Sequence, residues 1–181
     1  MSTIKNLIFD LDNTLYDFST IWKESNKLVY KYLKYDKVVS YEEFFKHYKA
    51  INNMLVDEVL KGNMKVKEIR NKRLKLTLEK FGIILTEEDC NIYYEKQFDF
   101  IIESIKPNEE VNLWLSRLSK KYKMILLTNG KSCEQRKKLA KLGLENLFKL
   151  YISGETHISK PKVEAFINVL EKENIVASET M

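Results

Sequence analysis

The sequence predicts an α/β protein whose parallel sheet is interrupted, after its first strand, by a bundle of helices. Three observations predict it. A short apolar run ends abruptly at an aspartate (IKNLIFD). Apolar residues then recur at spacings of three and four for some eighty-odd positions. After Lys106-Pro107 the pattern alternates between helix and strand, which implies parallel strands joined by right-handed crossovers.

Ile4–Phe9 is the first strand, rich in Ile, Leu and Phe and closed by Asp10. DLDNTLYD follows, with turn chemistry at Asp12 and Asn13. From Phe18 the helical period begins. Ile21, Trp22, Leu28, Val29, Tyr32 and Leu33 form one apolar stripe, and Phe44, Phe45, Tyr48, Ile51, Leu55 and Val59 form a second. Val66–Phe81 and Thr86–Ile105 continue the pattern, so four amphipathic helices are expected, their Tyr and Phe residues forming a core. Ser40 and Thr86 stand where helices should start, and Thr86 with Asp89 is close to a capping box. Gly62 and Gly82 stand where helices should stop. Beyond residue 106, Val111–Leu118 reads as a helix and Tyr122–Leu127 as a strand. Ser132–Leu142 reads as a helix closed by Gly143, Leu150–Ser153 as a short strand and Val163–Lys172 as a last helix.

Composition narrows the function classes. Five Gly and two Pro in 181 residues leave little room for long loops, and 44% hydrophobic residues suit a globular chain. No stretch approaches the roughly 18 apolar residues of a membrane span, and the N-terminal apolar run is too short for a secretory signal. A cytoplasmic protein is expected, with no membrane partner. Cys90 and Cys133 share no metal or redox spacing and read as reduced thiols. The net charge of +5 comes mostly from Lys interleaved with Glu and Asp, the pattern of solvated helix faces, so no nucleic-acid partner is expected. His47 and His157 read as surface residues, while Tyr16 and Phe18 lie close enough to Asp12 to touch a substrate.

In an open parallel sheet, functional groups gather beyond the carboxyl ends of the strands. Those ends carry Asp10 with Asp12, Thr128 with Asn129, and the loop leading to Lys160. Two acids, a hydroxyl and a lysine converging on one crevice suit phosphate chemistry. One carboxylate can attack phosphorus while the other handles a proton. Bound Mg²⁺ would relieve their mutual repulsion and hold a phosphate oxygen. Thr128 and the amides after it suit phosphate oxygens, and the Lys160 ammonium suits the charge of carboxylate and phosphate.

In combination these residues resemble the haloacid dehalogenase-like (HAD) hydrolases. The family's Asp-x-Asp-x-Thr after an apolar strand stands as Asp10-Leu11-Asp12-Asn13-Thr14. Its strand ending in Thr or Ser stands as Leu126-Leu127-Thr128-Asn129-Gly130, and its Lys before a helix as Ser159-Lys160-Pro161-Lys162. The resemblance implies a Rossmann-like HAD core over residues 1–17 and 106–181, with an inserted α-helical cap over 18–105. It implies a magnesium-dependent phosphatase: Asp10 forms an aspartyl-phosphate, Asp12 protonates the leaving group and then activates water, and Lys160 orients the phosphoryl group and Asp10. Thr128 and Asn129, with Lys160, would bind substrate. Asp10 and the backbone carbonyl of Asp12 would bind Mg²⁺. Members that dehalogenate lack the second acid, so Asp12 favours phosphoryl transfer. The Thr-Asn-Gly region is most similar to the pyrimidine 5′-nucleotidase branch, which makes a nucleoside monophosphate one candidate among small phosphorylated metabolites. A phosphosugar mutase shares the first motif.

The sequence departs from the family in its fourth motif, a Gly-Asp with a further acid on the next strand. Ala177-Ser178-Glu179-Thr180-Met181 supplies no equivalent. Two expectations follow: a magnesium site weakened by a missing anionic ligand, and a first strand left as a bare sheet edge, open to pairing with another chain. The chain then reads as part of a longer protein. A non-catalytic remnant serving as a binding module is the competing reading.

Overall fold

The computed structural model describes residues 3–181 and divides into two compact units, one formed by residues up to Trp22 together with Ile102–Met181, the other by Lys23–Ile101.

The first unit is built on three parallel strands, β1 (Asn6–Phe9), β2 (Lys123–Thr128) and β3 (Lys149–Ile152), in the spatial order β1-β2-β3. Phe9 pairs with Leu126, and Thr128 with Ile152, so the carboxyl ends of the strands finish close together. β2 is central, and Met124–Thr128 are all buried, which explains the unbroken apolar run Met124–Leu127. Ile125 and Leu127 face one side, where they pack with Tyr151, Ala165 and Val169. Ala165 and Val169 come from the helix Val163–Glu173. Full burial of a side chain such as Val169 contributes about 1.5–3 kcal/mol. The helix Glu109–Ser119 buries Leu115 and packs on β2. The helix Ser132–Leu142 ends at Gly143 in the left-handed region. The Leu144 amide reaches the Leu139 carbonyl at 2.9 Å, the helix-ending hydrogen bond that a residue without Cβ permits. A four-residue helical turn, Ser153–Thr156, follows β3 directly, where the sequence suggested that the strand runs to Ser153.

The expected bare edge is not bare. The Lys5 amide donates to the Glu179 carbonyl at 2.9 Å, the Ile8 amide to Met181 at 2.8 Å, and the Met181 amide to Asn6 at 3.1 Å. Asn6 and Thr180 form a parallel bridge. The last three residues therefore run beside β1 and satisfy backbone groups that an edge strand leaves open.

The second unit is helical. It comprises most of the helix Phe18–Tyr32, the helices Tyr41–Leu60 and Val66–Glu79, and the helix beginning at Glu87. Its core is aromatic, as the period predicts: Tyr30, Phe44, Tyr48 and Tyr93 are all buried. Ser40 caps its helix by accepting the Glu43 amide at 3.3 Å. Thr86 and Asp89 cap theirs reciprocally, Asp89 N to Thr86 Oγ1 at 3.1 Å and Thr86 N to Asp89 Oδ2 at 2.8 Å. Gly62 and Gly82 adopt positive φ just past two helix ends. No described helix is long and apolar enough to cross a membrane.

Candidate active site

Asp10 is the first residue beyond β1. Its Oδ1 accepts the Leu11 amide at 2.8 Å and lies 2.7 Å from Lys160 Nζ. Among the described residues, Oδ2 has no protein partner, and 41% of the side chain is exposed. Asp10 is therefore held from one side and open on the other, the geometry a nucleophile needs.

Asp12 sits differently. Asn13 takes a left-handed conformation with φ 61°, and its Oδ1 accepts the Ser19 amide at 2.8 Å, which fixes the turn. Both Asp12 carboxylate oxygens are engaged. Oδ1 accepts Tyr16 Oη at 2.6 Å and Lys138 Nζ at 2.9 Å, and Oδ2 accepts Lys138 Nζ at 3.0 Å and Gln135 Nε2 at 3.2 Å. Burial, then the hydrogen bond to Asp12, then its charge push the Tyr16 hydroxyl far above its ordinary pKa, so Tyr16 remains a donor.

Thr128, the last residue of β2, is buried. Its Oγ1 accepts Gln135 Nε2 at 2.7 Å, which leaves its own hydrogen to donate elsewhere. Asn129 does something the sequence did not indicate. Its side-chain amide donates to the Lys160 carbonyl at 2.9 Å and accepts the Lys160 amide at 3.0 Å, anchoring the lysine's backbone beside β2. The loop after Asn129 is clamped from β3: the Gly130 amide donates to Ser153 Oγ at 3.0 Å, and the Gly154 amide to the Gly130 carbonyl at 3.0 Å. Glu155 accepts from Arg136 at 2.8 Å and from Ser132 Oγ, closing the same loop.

Asp10, Asp12, Thr128, Asn129 and Lys160 are thus brought to one end of the sheet. Gln135 and Lys138 join them without having been predicted. Their signal was the spacing 135, 138, 139, 142, one inward face of a helix, on which Leu139 and Leu142 are also buried. Polar residues at the site-proximal end of an otherwise apolar face mark groups buried for a purpose. His157 is exposed, and His47 packs its ring against Phe81 in the helical unit. Neither cysteine is in a disulfide.

No group of three His, Cys, Asp or Glu side chains clusters among the described residues. Mg²⁺ commonly takes one or two carboxylates, several waters and substrate phosphate. The Asp10 carboxylate fits such a water-rich site as its one anionic ligand. Asp12 could contribute only through its backbone, because both carboxylate oxygens are taken. Lys138 pairs with Asp12 and Lys160 with Asp10.

Residues 4–181 match the family model of the haloacid dehalogenase-like hydrolases. YfnB of Bacillus subtilis (strain 168), named as a HAD-hydrolase, is 29% identical over 174 residues, 95% of this chain and 71% of that protein. A magnesium-bound crystal structure of YfnB superposes with a TM-score of 0.81 at 26% identity, covering 99% of this chain and 77% of that one. The 2-haloacid dehalogenase from Pseudomonas syringae pv. Tomato DC3000 gives 0.66 at 22% identity over 98% of this chain and 76% of its own, a likeness of fold alone. The same holds for a Thermotoga maritima protein named as a beta-phosphoglucomutase, at 0.73 and 22% over 98% and 74%.

Proposed function

The chain belongs to the haloacid dehalogenase-like hydrolases, and from that premise we propose that it is a magnesium-dependent phosphomonoester hydrolase acting on a small phosphorylated metabolite, with a nucleoside monophosphate as one candidate. The observation that carries the reading is the pair of differently held carboxylates, Asp10 open on one oxygen and Asp12 fixed two residues on.

In the proposed reaction Asp10 Oδ2 attacks phosphorus and the ester P–O bond breaks. The departing alkoxide takes a proton delivered by Asp12. Water then attacks the aspartyl-phosphate at phosphorus, gives its proton to Asp12, and the Asp10–P bond breaks to release phosphate. Lys160 orients Asp10 and stabilises charge on the phosphoryl oxygens, and the Thr128 hydroxyl donates to one of them. When bound at Asp10 and the Asp12 backbone, Mg²⁺ would screen the nucleophile from the phosphate dianion and hold one of its oxygens. Residues 1–17 with 106–181 form the catalytic core in this reading, and the inserted helices, 18–105, form a cap that sets substrate choice.

A second reading keeps the fold as a binding module. It is supported by the lack of any cluster of three His, Cys, Asp or Glu side chains among the described residues. One experiment separates the readings: release of phosphate from para-nitrophenyl phosphate with Mg²⁺ or with chelator, beside release of chloride from 2-chloropropionate. The proposal expects magnesium-dependent phosphate release and no chloride. Chloride release, or neither activity in a folded protein, would reject it.

A further inference from the structure

Resting on the phosphohydrolase reading, we propose that Gln135 and Lys138 are positioning residues: a buried bracket, one helical turn long, that locks Asp12 to the end of the Thr128 strand and sets both for proton transfer and phosphoryl binding.

Lys138 is distinct from Lys160. Its side chain is 6% exposed, against 20% for Lys160. Its ammonium reaches both Asp12 oxygens, at 2.9 and 3.0 Å, and lies 4.1 Å from the centre of the Phe18 ring. Three N–H groups thus face two carboxylate oxygens and a π face, and the cation is satisfied without substrate. Such a lysine orients a carboxylate and does not bind phosphate itself.

Gln135 completes the bracket. Its Nε2 has two hydrogens and faces three acceptors: Thr128 Oγ1 at 2.7 Å, Asn129 O at 3.0 Å and Asp12 Oδ2 at 3.2 Å. Because Thr128 Oγ1 accepts, the hydroxyl hydrogen must point away from Gln135. The glutamine also accounts for Gly130. A Cβ there would lie 3.1 Å from both Cγ and Cδ of Gln135, on a backbone with φ 143°. Thr128, Gly130 and Gln135 are therefore one steric and hydrogen-bonded unit, and Lys138 extends it to Asp12.

The test separates proton delivery from folding by leaving group. A nitrophenolate leaves with little need of a proton, whereas an alkoxide needs one. For Lys138→Met and Gln135→Leu, kcat/KM should fall about 100-fold or more on an alkyl phosphate such as glycerol phosphate, the scale of general acid catalysis. It should fall less than about tenfold on para-nitrophenyl phosphate, and Lys138→Arg should recover part of the loss. An equal loss on both esters, or a raised KM with kcat unchanged, would overturn the proposal. A second readout needs no turnover. The Gln135 side-chain amide protons should exchange slowly in the NMR spectrum of the wild-type protein and rapidly in Thr128→Val. Fast exchange in the wild type overturns the bracket. Slow exchange in a protein that hydrolyses neither ester upholds the bracket's geometry, while rejecting the phosphohydrolase reading and the catalytic role built on it.

Discussion

Gly154→Ala reverses the sign that local propensity would predict. Gly154 lies in the short helix Ser153–Thr156 without a positive φ, where alanine should gain up to about 1 kcal/mol in helix propensity. The added Cβ, however, would fall 2.6 Å from the Gly130 carbonyl oxygen, 3.1 Å from the Ser132 amide nitrogen and 3.3 Å from Lys131 Cα. All three are backbone atoms, so no rotamer change relieves the clash, and the Gly130–Ser132 loop must move by several tenths of an ångström. Overpacking of this kind costs about 1–3 kcal/mol. Net of the helix gain, we expect a loss of about 1–2 kcal/mol, which for a chain of this size lowers Tm by roughly 3–6 °C. The same movement displaces the loop that follows Thr128, so kcat/KM should fall by about tenfold or more. Thermal melting by circular dichroism and hydrolysis of para-nitrophenyl phosphate read both effects. An unchanged or raised Tm would refute the claim that β3 clamps this loop.

Three further predictions rest on other parts of the molecule. Burial would push the Glu173 carboxyl up, but Lys123, 2.7 Å away, and the Tyr151 hydroxyl, donating at 2.5 Å, hold it below its ordinary pKa. Its ionised form therefore stabilises the fold above about pH 4.3, and that stability is lost as pH falls through the lowered native value. Glu173→Gln should lose about 1–2 kcal/mol at pH 7, a gap that closes in melts taken near pH 3. A gap of equal size at both pH values would contradict the ion-pair account. Leu126→Ala empties a fully buried site on the central strand and should cost about 2–5 kcal/mol in urea unfolding; a loss below about 1 kcal/mol would mean that the core is not where we place it. Ser40→Ala removes a helix cap and should cost about 1 kcal/mol by the same measurement, while Ser40→Gly costs only a few tenths.

What was legible in the sequence was local. The run before Asp10 and β2 announce themselves as short apolar runs, and β2, central in the sheet, needs apolar residues on both faces. Caps and glycine stops depend on residues three or four apart, so Ser40, Thr86 and Gly143 could be placed from the sequence. Asp10 and Thr128 stand at strand ends, whereas Lys160 lies beyond the helical turn that follows β3 and is held by the Asn129 side chain.

Non-local partners were not legible. Asn129 suggests an ordinary turn until Lys160, thirty-one residues later, is seen to take both of its hydrogen bonds. Lys138 is one lysine among many, and nothing near it in the chain says that it is buried on Asp12. Asn6 held a neglected clue. It is a buried polar residue in an apolar strand, and its side-chain amide donates to the Glu179 carbonyl and Thr180 Oγ1, both at 3.3 Å. A strand with a bare outer edge would have no use for it there.

The central claim is that Asp10 is the nucleophile. The most direct test is to quench the full-length protein in acid during turnover of an aryl phosphate with Mg²⁺ and to map the modified peptide by mass spectrometry. The account predicts a phosphoryl group on the peptide containing Asp10, absent in Asp10→Asn and longer-lived in Asp12→Asn, where water activation is lost. Phosphate release with no adduct in either the wild type or Asp12→Asn, or release undiminished in Asp10→Asn, would contradict it.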